Sequence, residues 1–124
     1  GIVNDVIIAA QPPITIAKKD FQNGSKIHVK IPSTISGWNV RLFVCSGDSA
    51  TYCGGTAVPA VSSGASNAAN QFRFDALAPQ YIYNLSTKLT PVFKNAAAGS
   101  KYSLWITIDG VIIGQFKLGT ISIK

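Results

Sequence analysis

Apolar and polar residues alternate along most of this chain with the two-residue period of a half-buried β-strand. In residues 26–31, Ile27, Val29 and Ile31 fall on one face, and Lys26, His28 and Lys30 on the other. Trp38, Val40, Leu42 and Val44 share a face in the next stretch. Residues 71–74, 81–85 and 103–108 read the same way, and Ile14-Thr15-Ile16 is a shorter extended piece. Turn signals separate these runs: Asn23-Gly24, Ser36-Gly37, Ala78-Pro79-Gln80 and Asp109-Gly110. Asp-Gly is among the strongest two-residue hairpin signals, because both central residues of that turn need positive φ. It predicts that residues 111–117 return directly against residues 103–108. In the last strand Gly114, Phe116 and Leu118 share a face, but Ile121 and Ile123 have the opposite parity. A period of two cannot absorb that shift, so a bulge near Gly119, or a tail leaving for another sheet, is expected. The pattern defines an all-β chain, with no internal repeat, heptad or amphipathic helix.

Two stretches depart from alternation. Residues 6–10, Val-Ile-Ile-Ala-Ala, are apolar at consecutive positions, so both faces of an extended strand would be apolar there. Such a segment is covered on both sides or packs into something outside its own chain. Pro12-Pro13 then removes two ladder donors and imposes an extended hinge or a switch between sheets. The chain divides accordingly into an arm, residues 1–10, and a domain, residues 11–124. The second departure is residues 45–70, rich in Ser, Gly, Ala and Asn. This is long for a loop. One weak strand fits within residues 56–61, and the rest is the leading region for a ligand-binding loop.

With 124 residues the chain suffices for one domain with a two-layer core. Eleven Lys and Arg against five Asp give a net charge of +6, but the bases are scattered and only two are Arg. A nucleic-acid partner calls for clustered bases among exposed aromatics, so none is expected. No apolar run reaches the ~18–20 residues of a membrane span. The chain starts at Gly1 and holds no Met, as expected once a leader has been removed. Cys45 and Cys53 have loop-closing disulfide spacing, which fits an oxidising compartment. Two Cys and the distant His28 cannot make a four-ligand zinc site, and no closely spaced acids suggest calcium. Asn23-Gly24-Ser25 and Asn84-Leu85-Ser86 are glycosylation tripeptides. No nucleophile motif accompanies His28, and no pair among Asp5, Asp20, Asp48, Asp75 and Asp109 is placed by pattern for acid–base work. No catalytic residue, metal or cofactor is expected.

Pro12-Pro13, residues 24–31, residues 71–75, residues 80–88, residues 98–104 and Asp109-Gly110 together resemble the PxKF-type domain, a secreted prokaryotic module. The similarity runs over about residues 11–117 and is densest over residues 71–110. The family's Pro-Val-Lys-Phe stands here as His28-Val29-Lys30-Ile31, without the naming proline and phenylalanine. The resemblance implies an extracellular, Ig-like β-sandwich without catalytic residues. The spacing of the runs independently suggests an antiparallel sandwich of about seven strands. Gly99-Ser100-Lys101-Tyr102 has the form of a tyrosine corner.

The expectation is therefore a non-enzymatic, extracellular structural subunit. It would assemble with itself, or with other surface proteins, into a filament or adhesin. Its arm, carrying Val3, Val6, Ile7 and Ile8, would add as a donor strand to a neighbour's sheet edge. The alternative is a monomeric module of a larger secreted protein that binds carbohydrate or a surface. There Trp105 would be the ligand contact, because its parity is opposite to Leu104, Ile106 and Ile108, with Phe43, Tyr81 and Tyr83 as further aromatics.

Overall fold

The computed structural model describes residues 2–5, 12–109 and 114–124, and of Asp5 only the backbone. Nine strands are described. They are β1 (Val3–Asp5), β2 (Ile14–Ile16), β3 (Lys26–Pro32), β4 (Asn39–Ser46), β5 (Val58–Pro59), β6 (Arg73–Asp75), β7 (Gln80–Ser86), β8 (Lys101–Asp109) and β9 (Phe116–Ile123). They form a four-stranded sheet, β1-β3-β7-β6, and a five-stranded sheet, β2-β9-β8-β4-β5. The alternation decides which side chains meet between the sheets. Ile27 and Val29 of β3 and Tyr81, Tyr83 and Leu85 of β7 share one core with Val40, Leu42 and Val44 of β4. Leu104, Ile106 and Ile108 of β8 and Leu118, Ile121 and Ile123 of β9 complete it. Burying a side chain of this size stabilises by roughly 1.5–3 kcal/mol.

The sheets are mixed rather than purely antiparallel. β1 runs parallel to β3 and β2 parallel to β9, while the other neighbouring strands are antiparallel. The strands flanking Pro12-Pro13 therefore lie in different sheets, so the chain does change sheets in this region. The opposite side of the molecule is closed in the same manner, but twice. After β5, which pairs with β4, residues 61–63 move beside β7: Ser86 N–H donates to Val61 O and Ser63 N–H to Asn84 O. Residues 70–72 first run beside β4, where Leu42 N–H donates to Asn70 O and Phe72 N–H to Val40 O, and then enter β6 beside β7. The long Ser/Gly/Ala/Asn stretch is thus largely a pinned connection.

One helix, α1 (Lys18–Gly24), stands where the sequence pattern gives only a turn. It is seven residues long and buries a single side chain, Phe21. Asp20 lies in its first turn, favourable to the helix dipole, and Gly24 ends it at φ +100°. Phe21 closes one end of the core against Phe93 and Tyr102, with ring centroids 5.2 and 6.4 Å away. Tyr102 packs here by its ring. The hydroxyl-to-backbone bonds expected of it are made by two other tyrosines: Tyr81 Oη donates to Ile35 O at 2.7 Å, and Tyr83 Oη to Ala69 O at 2.6 Å.

The phase break in β9 is a bulge. Leu104 faces Gly119 but Trp105 faces Lys117, so Leu118 is the extra residue. The hairpin itself departs from expectation. A two-residue turn at Asp109-Gly110 would set Ile106 opposite Ile113, whereas Ile106 pairs with Phe116. The connection is three residues longer than that turn requires. Residues 110–113 lie outside the described residues.

Candidate functional site

The arm is the first place to look for function. Val3, Asn4 and Asp5 pair with Lys26, Ile27 and His28. In a sheet, residues at one level point to the same face, and Ile27 is fully buried in the core. This register therefore sets Asn4 on the core side and Val3 on the solvent side. Val3 is 51% exposed, and Ile2 before it is also exposed. The Asn4 Nδ2 is buried and, among the described residues, has no hydrogen-bond partner. Polar-in and apolar-out is the reverse of what a half-buried strand prefers. Val6, Ile7 and Ile8 lie outside the described residues.

At the same end of the molecule an open cavity of about 460 Å³ adjoins β1. Val3 and Leu89 supply apolar wall, Ser25, Ser63 and Ser86 hydroxyl groups, and Lys26 and Lys88 positive charge. The floor is rigid. Thr87 Oγ1 accepts from the Ser25 N–H at 2.7 Å and donates to Phe21 O at 3.1 Å, tying the end of α1 to the end of β7.

The Cys45–Cys53 disulfide forms, with Cα atoms 5.9 Å apart. It holds residues 46–52 against the outer face of the five-stranded sheet. The consequence falls on Trp105. Tyr52 packs against it at 5.5 Å and reaches Phe43 at 6.4 Å. The indole N–H donates to Ser103 Oγ at 3.0 Å. Trp105 is left 4% exposed, covered by the half-buried rings of Tyr52 and Phe43 outside the main core. Burial raises the Tyr52 hydroxyl above its ordinary pKa, and that of Tyr83 as well. A sugar could stack on Trp105 only after displacing Tyr52. Tyr81 and Tyr83 are buried in the core, so they offer no exposed platform.

The two glycosylation tripeptides sit differently. Asn23 is exposed at the end of α1. Asn84 is 8% exposed, its side-chain Oδ1 accepts from Arg73 Nη1 at 3.3 Å, and its backbone N–H donates to Asn67 Oδ1 at 2.9 Å. The acids are also engaged. Asp48 accepts from Lys117 Nζ and Thr120 Oγ1, each at 2.7 Å, and these bonds hold its carboxyl below the usual 3.8. Asp109 accepts from Asn39 Nδ2 at 3.0 Å and lies 3.5 Å from Arg41 Nε. Asp75 Oδ1 accepts from the Leu77 N–H at 3.0 Å and shapes the β6–β7 turn. Among the described residues no group of three His, Cys, Asp or Glu could hold a metal ion.

The cavity is a feature that sequence pattern did not indicate. Its walls come from four separate segments, and no local motif marks it. Among the described residues no helix is long and apolar enough to cross a membrane, and the disulfide points to an oxidising, non-cytoplasmic environment. Comparison with known proteins finds no matching family model, curated protein or solved structure.

Proposed function

We propose that this protein is a non-enzymatic structural subunit of an extracellular filament or adhesin, built on an Ig-like β-sandwich and assembled by exchange of its N-terminal arm. The observation that carries the reading is the misfit of β1 in its own chain: Asn4 turned to the core with an amide that has no partner among the described residues, Val3 turned to water. An unpaired buried polar group costs about 1–3 kcal/mol. A one-residue slip, or a different acceptor edge, reverses both faults at once. The arm that follows is apolar on both faces and tethered through Pro12-Pro13, which suits a strand that reaches outside its own fold. Copies joined head to tail by such an arm form an open filament. The resemblance to the PxKF-type domain agrees with a secreted surface module, and the disulfide agrees with that compartment.

The test compares the full chain with one beginning at Pro12, by negative-stain microscopy and size-exclusion light scattering. Fibres from the full chain, and a folded monomer from the truncated one, are expected. A full chain that stays a ~13 kDa monomer at every concentration would contradict self-assembly and move the reading to a monomeric module.

A further inference from the structure

The two ends of β7 carry an exposed apolar side chain and an open cavity. At its start, the turn from Asp75 to Gln80 presents Leu77, which is 98% exposed. The turn is not loose: Asp75 Oδ1 accepts from the Leu77 N–H, and Ser33 N–H donates to Pro79 O at 3.2 Å. A fully exposed leucine on a braced turn is a preformed apolar knob, and it carries a carboxylate two residues away. At the other end of β7 lies the cavity of about 460 Å³, with apolar wall from Val3 and Leu89 and positive charge from Lys26 and Lys88. Leu89 is itself exposed.

We infer that Leu77 of one copy seats in this cavity of the next, with Asp75 against Lys26 and Lys88. The occupant is a second copy of this chain because the same molecule carries both halves, apolar knob with negative charge and apolar cavity with positive charge. They stand at opposite ends of one seven-residue strand, ~20 Å apart at 3.3 Å per residue, too far to meet within a molecule. A knob and a cavity on opposite ends make a heterologous contact, which repeats along the strand direction without closing. The inference rests on the self-assembly reading and names the surfaces that would meet beside the exchanged arm. Leu89, Lys26 and Lys88 stay with the cavity whichever copy's arm lies beside β3, so the knob does not depend on Val3 as a wall.

The decisive experiment uses the full chain with Leu77→Cys and Leu89→Cys together, oxidised under assembling conditions. The native cysteines are both in the disulfide, so the new pair is the only free thiol pair. A ladder of covalent multimers is expected. The control pair Leu77→Cys with Thr15→Cys, whose Thr15 lies exposed on β2, should give no ladder beyond dimers. Leu77→Asp, at a site with nothing to lose in the monomer, should raise the concentration needed for assembly about tenfold or more, with an unchanged thermal melt. Fibres that form normally in Leu77→Asp, with no ladder from the cysteine pair, would overturn the knob while leaving arm exchange standing. A wild-type chain that never assembles would overturn both.

Discussion

Thr87 shows how much one hydroxyl can hold. It is buried at the junction of β7, α1 and β3, and its Oγ1 satisfies the Ser25 N–H and the Phe21 carbonyl together. Thr87→Val keeps the shape and strands both groups. The expected loss is about 1–3 kcal/mol of folding free energy, read from the denaturant midpoint at unchanged slope. Phe21→Ala removes the ring that closes the core against Phe93 and Tyr102, and about 3–5 kcal/mol is expected from the cavity left behind. Asp48 bears on acid stability. Bonds from Lys117 and Thr120 lower its pKa in the folded state. A depressed carboxyl contributes stability above its unfolded pKa, near the ordinary 3.8, and that contribution is lost as pH falls through the folded value. Asp48→Asn should therefore be less stable than the parent at neutral pH, and the gap should narrow below pH ~3.8 in a urea titration. Because Asp48 is exposed, added salt should shrink the gap as well. Such residues were hard to read from sequence: Thr87 sits between Ser86 and Lys88 with no pattern around it, and its partners are 62 and 66 positions away.

At the scale of elements, what repeats locally was legible. The alternation of β3 and β4 identified their buried faces, down to Ile27, Val29, Val40, Leu42 and Val44, whereas β7 and β8 are buried on both faces, Tyr81, Tyr83 and Trp105 included. The parity break identified the bulge at Leu118-Gly119. What depends on a distant partner was not. α1 carries one apolar residue in seven and owes its place to Phe93 and Tyr102, so no helical period exists to be seen. The parallel pairing of β1 and β2 comes from the path of the chain between sheets, which side-chain parity does not encode. The β8–β9 connection exceeds the two-residue Asp-Gly turn because register is set by how β9 packs on β8. The disulfide was legible from spacing, but not its use as a clamp that seats Tyr52 on Trp105. Reducing Cys45–Cys53 should cost about 2–3 kcal/mol by the chain-entropy account. It should also shift tryptophan fluorescence to the red as Trp105 meets water. In Tyr52→Ala the red shift should appear without reduction. Emission unchanged on reduction would show that residues 46–52 stay in place without the bond.

At the scale of the whole molecule, chain segments pass between the two sheets on both flanks. One flank is closed by residues 61–63 and 70–75, pinned to β4 and β7 by backbone bonds. The other carries β2, which pairs with β9 and buries Ile16, and β1, where the fit is poor: three paired residues, one apolar side chain in water and one amide buried without a partner among the described residues. The conflict was half legible. The unbroken apolar run of residues 6–10 marked the arm as unusual, but only the register of β1 against β3 shows that its polar residue faces inward. The proposed exchange of the arm would act at β1, the strand whose inward polar and outward apolar residues fit its own sheet least.

The most direct measurement follows from that register. Val3→Cys and Lys26→Cys place thiols on paired positions of β1 and β3, and a short thiol-reactive linker joins them at concentrations where the full chain assembles. Exchange of the arm predicts covalent chains of many subunits on a denaturing gel, interrupted when excess parent protein, which has no free thiol, is mixed in before assembly. Cross-linked monomers alone, at every concentration and with fibres present, would show that β1 stays in its own fold and would contradict the account.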